Sequence, residues 1–102
     1  MNNSPTIRIL LVDDHLAVRL GVGTMINDQD DMKVVGEAAN GATALELFFE
    51  MKPDIVLLDL RMPGMSGLDV LRELLAKCSS AKVIVLSTHD REEDIYLSLI
   101  HI

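Results

Sequence analysis

The chain has 102 residues, of which 49% are hydrophobic and 25% are charged, a composition typical of one globular domain rather than a disordered segment. Its net charge of −7 argues against nucleic-acid binding by this segment, because contacts to phosphates need a basic surface. The single cysteine excludes an internal disulfide, and no signal peptide or apolar run of about 18 residues is found, so we expect a cytoplasmic protein without membrane contact.

Four short aliphatic segments predict β-strands, and three of them are almost unbroken apolar runs. Such runs are typical of strands that are buried on both faces of a parallel sheet. The predicted strands cover residues 7–12, 32–35, 55–58 and 83–86.

Apolar residues at helical spacing fill the segments between these strands, and we expect each such stripe to pack against the core. Helix starts are predicted at Asn40, at Ser66 with Asp69 three residues later, and at Asp90 with Glu93 three residues later. The resulting β-α-β-α-β-α-β-α order predicts an open parallel sheet that is covered by helices on both faces.

Polar side chains follow the predicted strands at the points where these strands end. Asp13 and Asp14 follow the first strand, Asp59 follows the third, and Ser87 follows the fourth. The flavodoxin-like strand order 2-1-3-4-5 would make strands one and three neighbours, whereas the Rossmann order would separate them. Because no glycine-rich turn follows the first strand, we predict a flavodoxin-like α/β fold with the carboxylates in one pocket.

Three carboxylates in one pocket repel one another and require a compensating positive charge. Mg²⁺ prefers a few carboxylates together with water and a phosphoryl oxygen, so the pattern predicts phosphoryl transfer to Asp59. Taken alone, Asp14 is also suited to capping the first helix, and His15 and His89 are expected to be exposed turn residues rather than metal ligands.

The combination of these motifs resembles the receiver domain of bacterial two-component response regulators. The matching segments include Val-Asp-Asp-His at 12–15, Asp-Leu-Arg-Met-Pro-Gly at 59–64 and Val-Ile-Val-Leu-Ser at 83–87, and the resemblance runs from about residue 7 to about residue 96. The amino-acid sequence of these segments is most similar to that of the NarL/FixJ subfamily, whose members usually contain an additional LuxR-type helix-turn-helix domain. That output domain has no counterpart in residues 1–102.

The resemblance implies that Asp59 is the phosphoacceptor. It also implies that Asp14 and Asp59 bind Mg²⁺ directly, that Asp13 acts through a bound water, and that the backbone carbonyl of Arg61 completes the protein ligands. The domain would be a switch that catalyses its own phosphorylation and dephosphorylation, without being an enzyme for another substrate.

The same resemblance assigns roles around the pocket. Ser87 would supply the hydroxyl that follows the phosphoryl group during switching, while Arg61 and His89 would tune the lifetime of the phosphoryl group. The phosphoryl donor would be a sensor histidine kinase or a small acyl phosphate. The full-length protein would control transcription through its output domain and would be able to dimerise.

The carboxy-terminal part of the chain departs from the family pattern. We expect the fifth strand, the fifth helix and the phosphate-binding lysine of receiver domains to be missing, with Tyr96 in a fourth helix and the fourth strand at an exposed edge. Residues 97–102, Leu-Ser-Leu-Ile-His-Ile, are similar to a translated transposon end sequence used in preparing sequencing libraries, and we expect them to be non-native.

Two other functions remain open. One is a Mg²⁺-dependent phosphohydrolase with an aspartyl intermediate, which the adjacent Asp13-Asp14 pair disfavours because haloacid dehalogenases carry Asp-x-Asp after the first strand. The other is a binding-only or inactive receiver, which the missing lysine favours and the three aspartates disfavour.

Overall fold

The structure, a computed structural model, describes residues 5–62, 64, 66–88 and 95–100, with side chains described no further than Leu86. All four predicted strands are present, and three of them extend beyond their predicted ends. In chain order the elements are β1 Ile7–Val12, α1 Leu16–Asn27, β2 Met32–Ala38, α2 Gly41–Met51, β3 Ile55–Asp59, α3 Gly67–Lys77, β4 Val83–Thr88 and β5 Ile95–Ile100.

The sheet has the order β2-β1-β3-β4-β5, and its first four strands are parallel. This confirms the flavodoxin-like order that was predicted from the sequence. In the register of the sheet, Val12 pairs with Leu58 and Asp59 pairs with Leu86, so the carboxyl ends of β1, β3 and β4 lie side by side.

Two expectations for the carboxy-terminal segment were wrong: Tyr96 does not lie in a helix, and β4 is not an exposed edge. Residues 95–100, including Tyr96, form a strand antiparallel to β4 instead of part of a fourth helix, and they fill the fifth position that we expected to be empty. The segment Ile-Tyr-Leu-Ser-Leu-Ile has high β-propensity, and the backbone groups at the edge of β4 give it a hydrogen-bonding partner. The helix start predicted at Asp90 lies outside the described residues.

The two faces of the sheet are packed differently. Alternate residues of β1 and β3 face α2 and α3 and form a buried core with them, including Leu10, Val12, Val56, Leu58, Phe48 and Leu74. The opposite face carries α1, and a cleft of about 540 Å³ lies between that helix and the sheet, lined by Val22, Met25, Ile26, Leu57, Ile84 and Leu86 among others. Met25 belongs to the apolar stripe of α1 that was expected to pack against the core, but 70% of it is exposed.

Two of the predicted helix starts are confirmed by side-chain hydrogen bonds. The side chain of Asn40 accepts from the backbone N–H of Thr43 at 2.9 Å, and the hydroxyl of Ser66 accepts from the N–H of Asp69 at 3.2 Å. Helix α1 begins after His15, so Asp14 is not its capping residue. Among the described residues, no helix has the length and hydropathy that a membrane span requires.

Candidate functional site

Asp13 lies directly after β1 and is fully buried. Its N–H donates to the carbonyl oxygen of Ala38 at the end of β2, at 3.0 Å. Its carboxylate Oδ1 accepts from the backbone N–H of His15 at 2.8 Å. Because the backbone and the side chain are both hydrogen-bonded, the turn between β1 and α1 is held in a single orientation.

Asp59 is the last residue of β3 and is also fully buried. Its Oδ1 accepts from the backbone N–H of Arg61 at 2.9 Å. The chain then turns back on itself, and the N–H of Gly67 donates to the carbonyl oxygen of Leu60 at 3.2 Å. A Cβ atom on Gly67 would collide with the backbone of Asp59, so this close approach requires glycine.

The two strand ends bring three carboxylates together, as the sequence predicted. One ligand atom from each of Asp13, Asp14, Asp59 and His15 lies within 4.8 Å of all the others. Among the described residues, three buried oxygens of this cluster have no hydrogen-bond partner: Asp13 Oδ2, Asp14 Oδ1 and Asp59 Oδ2. Unpaired buried carboxylate oxygens are costly, because they have lost water without gaining a donor.

The position of the His15 imidazole was not predicted. Its side chain is 56% exposed, as expected for a turn residue, but its Nδ1 points into the pocket. Nδ1 lies 2.9 Å from Asp13 Oδ1, 3.1 Å from Asp14 Oδ1 and 3.9 Å from Asp59 Oδ2. A hydrogen on Nδ1 is best placed for Asp13 Oδ1, which leaves Asp14 Oδ1 without a hydrogen bond. The only signal in the sequence was that His15 directly follows the two aspartates.

Burial, hydrogen bonds and neighbouring charges shift two pKa values in the pocket. Burial raises the pKa of the Asp59 carboxyl above its ordinary value; the Arg61 N–H opposes that shift, and the charges of Asp13 and Asp14 add to it. The pKa of His15 is also raised, first by its hydrogen bond to Asp13 and then by the charge of Asp14. Both shifts report a pocket that favours an additional positive charge.

These side chains are suited to a hard divalent cation. The unpartnered atoms are carboxylate oxygens, which Mg²⁺ prefers over nitrogen or sulfur, and they come from two rigid strand ends and the turn between β1 and α1. The side chain of Asp14 is 25% exposed, so the pocket is open to solvent on that side and has access for water and for a phosphoryl group.

The other predicted site residues are only partly described. The backbone of Ser87 follows Leu86, the partner of Asp59 in the sheet, but its side chain is not described. His89 lies outside the described residues. Arg61 is exposed, with its N–H directed at Asp59. Lys82, whose carbonyl oxygen accepts from the N–H of Val56, lies immediately before β4, at the opposite edge of the sheet from the carboxylates.

Comparison with known proteins assigns the chain to a family. The model of the response regulator receiver domain matches residues 9–99 of the chain. The chain belongs to the response regulator receiver domain family.

Among the curated relatives of this receiver domain, the nitrate/nitrite response regulator protein NarL of Escherichia coli K12 is 44% identical over 99 residues. The transcriptional regulatory protein LiaR of Bacillus subtilis is 38% identical over 90 residues. These matches cover 97% and 88% of the chain but 46% and 43% of the relatives, so the chain spans about half the length of the curated relatives it matches. They confirm the resemblance to the NarL and LuxR type of response regulator.

Solved receiver structures have the same fold. The signal receiver domain of the putative response regulator NarL from Mycobacterium tuberculosis aligns with a TM-score of 0.79 and 39% identity, over 85% of this chain and 70% of that one. The response regulator TrrA of Thermotoga maritima, solved in complex with Mg²⁺-BeF, aligns with a TM-score of 0.77 and 36% identity, over 84% of this chain and 73% of that one. The chain is therefore a receiver module of two-component signal transduction.

Proposed function

We propose that Asp59 is the phosphoacceptor of this receiver domain. The observation that carries the proposal is the buried Asp59 carboxylate, with Oδ1 fixed by the Arg61 N–H and Oδ2 unpartnered among the described residues. One oxygen is thus held in place, while the other is available as a nucleophile. The TrrA structure supports the proposal, since that response regulator was solved in complex with Mg²⁺-BeF.

In the proposed reaction, Asp59 Oδ2 attacks the phosphorus of a phosphohistidine on a sensor histidine kinase, or of a small acyl phosphate. A P–O bond to the carboxylate forms as the P–N or P–O bond of the donor breaks, and the leaving imidazole or carboxylate takes the bonding electron pair. When bound, Mg²⁺ would neutralise charge on the phosphoryl oxygens. Asp14 and Asp59 would bind it directly, Asp13 through a water, and Arg61 through its backbone carbonyl.

The remaining roles concern what happens after transfer. The Ser87 hydroxyl would bind the phosphoryl group during switching, and Arg61 and His89 would control how water reaches it during self-catalysed dephosphorylation. In the full-length protein this event would control a DNA-binding domain, with dimerisation as a further step, and the protein would act in the cytoplasm. Residues 1–102 would correspond to one receiver domain, with non-native sequence from about residue 97.

The proposal is tested by intact-mass spectrometry after incubation with acetyl phosphate and Mg²⁺. We expect one phosphoryl adduct on the wild type, stable in acid and labile in base, and no adduct on Asp59→Asn. Asp54→Asn is the matched control, because Asp54 lies at the other end of β3 and should leave the adduct unchanged. Absence of the adduct from wild type, or its persistence in Asp59→Asn, would refute the assignment. Repeated turnover of phosphate esters would instead indicate a phosphohydrolase.

A further inference from the structure

Arg19 of α1 connects three elements next to the acidic pocket. Its Nη1 donates to the backbone carbonyl oxygen of Asp13 at 2.6 Å, and its Nε lies 3.2 Å from Oε1 of Glu37 on β2. The Arg19 side chain is only 15% exposed, although arginine side chains usually remain in water. A long charged side chain is therefore held in one conformation directly behind the cluster.

The peptide that Arg19 binds is the one that joins Asp13 to Asp14. The N–H on the other side of Asp13 donates to Ala38, the residue after Glu37 in β2. The end of β2 thus holds Asp13 at both of its backbone polar groups, once directly and once through Arg19. The orientation of the Asp13–Asp14 peptide, to which Arg19 donates, sets the direction in which the less buried Asp14 side chain leaves the backbone.

The ion pair with Glu37 does not by itself explain this arrangement. The Glu37 side chain is 47% exposed, and ion pairs with solvent access contribute little to folding. Fixing an arginine in one rotamer has an entropic cost, which a weak ion pair does not offset. The short hydrogen bond from Arg19 to the Asp13 carbonyl oxygen is the contact that links this conformation to the acidic pocket.

We propose that Arg19 is a positioning residue for divalent-cation binding, which orients the Asp13–Asp14 peptide so that both carboxylates face the cation. The inference rests on the proposed function, since it assumes that the pocket binds Mg²⁺. It makes a prediction opposite to that of simple electrostatics. Removing a cationic side chain near an acidic pocket should tighten cation binding if charge alone matters. Loss of positioning should weaken cation binding instead.

The test is the dissociation constant for Mg²⁺, measured by isothermal titration calorimetry at constant ionic strength on the full 102-residue chain. We expect Arg19→Met to raise Kd about tenfold, the low end of the effect seen when outer-shell partners of metal ligands are removed. Arg19→Lys, which can still donate to the Asp13 carbonyl, should restore part of that loss. Arg8→Met is the matched control: Arg8 also donates to a backbone carbonyl, that of Lys52, but at the opposite edge of the sheet. Its Kd should remain that of wild type.

Thermal denaturation of each variant without Mg²⁺ separates positioning from folding. A purely structural role would lower Tm and leave the Kd of the folded protein unchanged. Unchanged or tighter Mg²⁺ binding by folded Arg19→Met would overturn the inference. If Arg19→Met does not fold, Glu37→Ala decides, because it removes the partner that holds Arg19, and a wild-type Kd for Glu37→Ala would overturn the inference. If wild type itself binds no Mg²⁺, the proposed function fails, which is distinct from failure of the Arg19 inference alone.

Discussion

The amino ends and the carboxyl ends of β1 and β3 differ in how their polar groups are paired. At the amino ends, Asp54 accepts from the N–H of Arg8 at 2.8 Å, and the Arg8 guanidinium donates to the carbonyl of Lys52, with all of these groups near solvent. At the carboxyl ends, Asp13 and Asp59 are fully buried, have the same charge and retain unpartnered oxygens.

The difference indicates which end is built for stability and which for binding. The opposite charges and hydrogen bonds at the amino ends are favourable in the folded protein without any bound ligand. Like charges held out of water are unfavourable there, because their interaction raises the free energy of the folded state unless a cation or a phosphoryl group occupies the pocket.

The close packing that holds the carboxyl ends together is tested by Gly67→Ala. The new Cβ would collide with the carbonyl oxygen of Asp59 and the Cα of Leu60, and backbone atoms cannot move aside as a side chain can. We expect a loss of about 3 kcal/mol in the free energy of unfolding. This corresponds to a fall in Tm of more than about 10 °C by calorimetry.

Gly21→Ala is the matched control for this substitution, since a Cβ at Gly21 in α1 meets nothing within 4 Å. Alanine is favoured over glycine in a helix by roughly 0.5–1 kcal/mol, so this variant should be slightly more stable than wild type. If Gly67→Ala and Gly21→Ala changed the free energy of unfolding equally, the backbone of Asp59 would not be tightly packed against residue 67.

The electrostatic contrast is tested by replacing one aspartate at each end of β3. Without divalent cations, we expect Asp59→Asn to raise the free energy of unfolding by about 1 kcal/mol, because it removes a buried charge from a repelling cluster. Its amide keeps an oxygen for the Arg61 N–H and gains a donor for the neighbouring carboxylates.

Asp54→Asn should have the opposite sign. It weakens an exposed interaction with Arg8, so we expect a loss of about 0–1 kcal/mol. Urea denaturation of both variants at pH 7 measures the difference. A shift of both midpoints in the same direction would contradict the contrast between the two ends.

Local sequence patterns were enough to predict the acidic triad but not its surroundings. The strands from Ile7 to Thr88 appear as short apolar runs, and the parallel order then places Asp13, Asp14 and Asp59 at one edge without any knowledge of side-chain conformation. The residues that hold or fill the pocket depend on rotamers and on contacts distant in sequence. The contact of Arg19 with Glu37 is an example, because it spans 18 positions between two elements.

The errors in the prediction have a similar origin. The segment 95–100 pairs with β4, and pairing with a distant edge is not visible in a local helical pattern. Met25 is spaced like a core residue, yet it is exposed because α1 covers its face of the sheet only partly. Tertiary context decided both cases.

The smallest expected effect is the pH dependence of stability without divalent cations. The folded-state pKa of Asp59 is raised above its ordinary value of 3.8 by burial. Between pH 3.8 and the folded-state pKa, the folded state therefore binds more protons than the unfolded state, and stability falls as pH rises through this range. The pKa of His15 is raised above 6.5 by its hydrogen bond to Asp13, so its contribution is complete below pH 6.5 and is lost as pH rises through the folded-state pKa.

Between pH 5.5 and pH 8 the loss of the His15 proton should lower the Tm of the chelator-treated chain, as measured by calorimetry. Asp59→Asn should reduce this slope, because the Asp59 charge is one of those that raise the pKa of His15, whereas Asp54→Asn, at the amino end of β3, is the control and should keep it. Saturating Mg²⁺ should raise Tm most at the higher pH, because the cation replaces the positive charge that His15 loses there. A Tm that rises over this pH range would show that the carboxyl ends of β1 and β3 do not hold repelling charges.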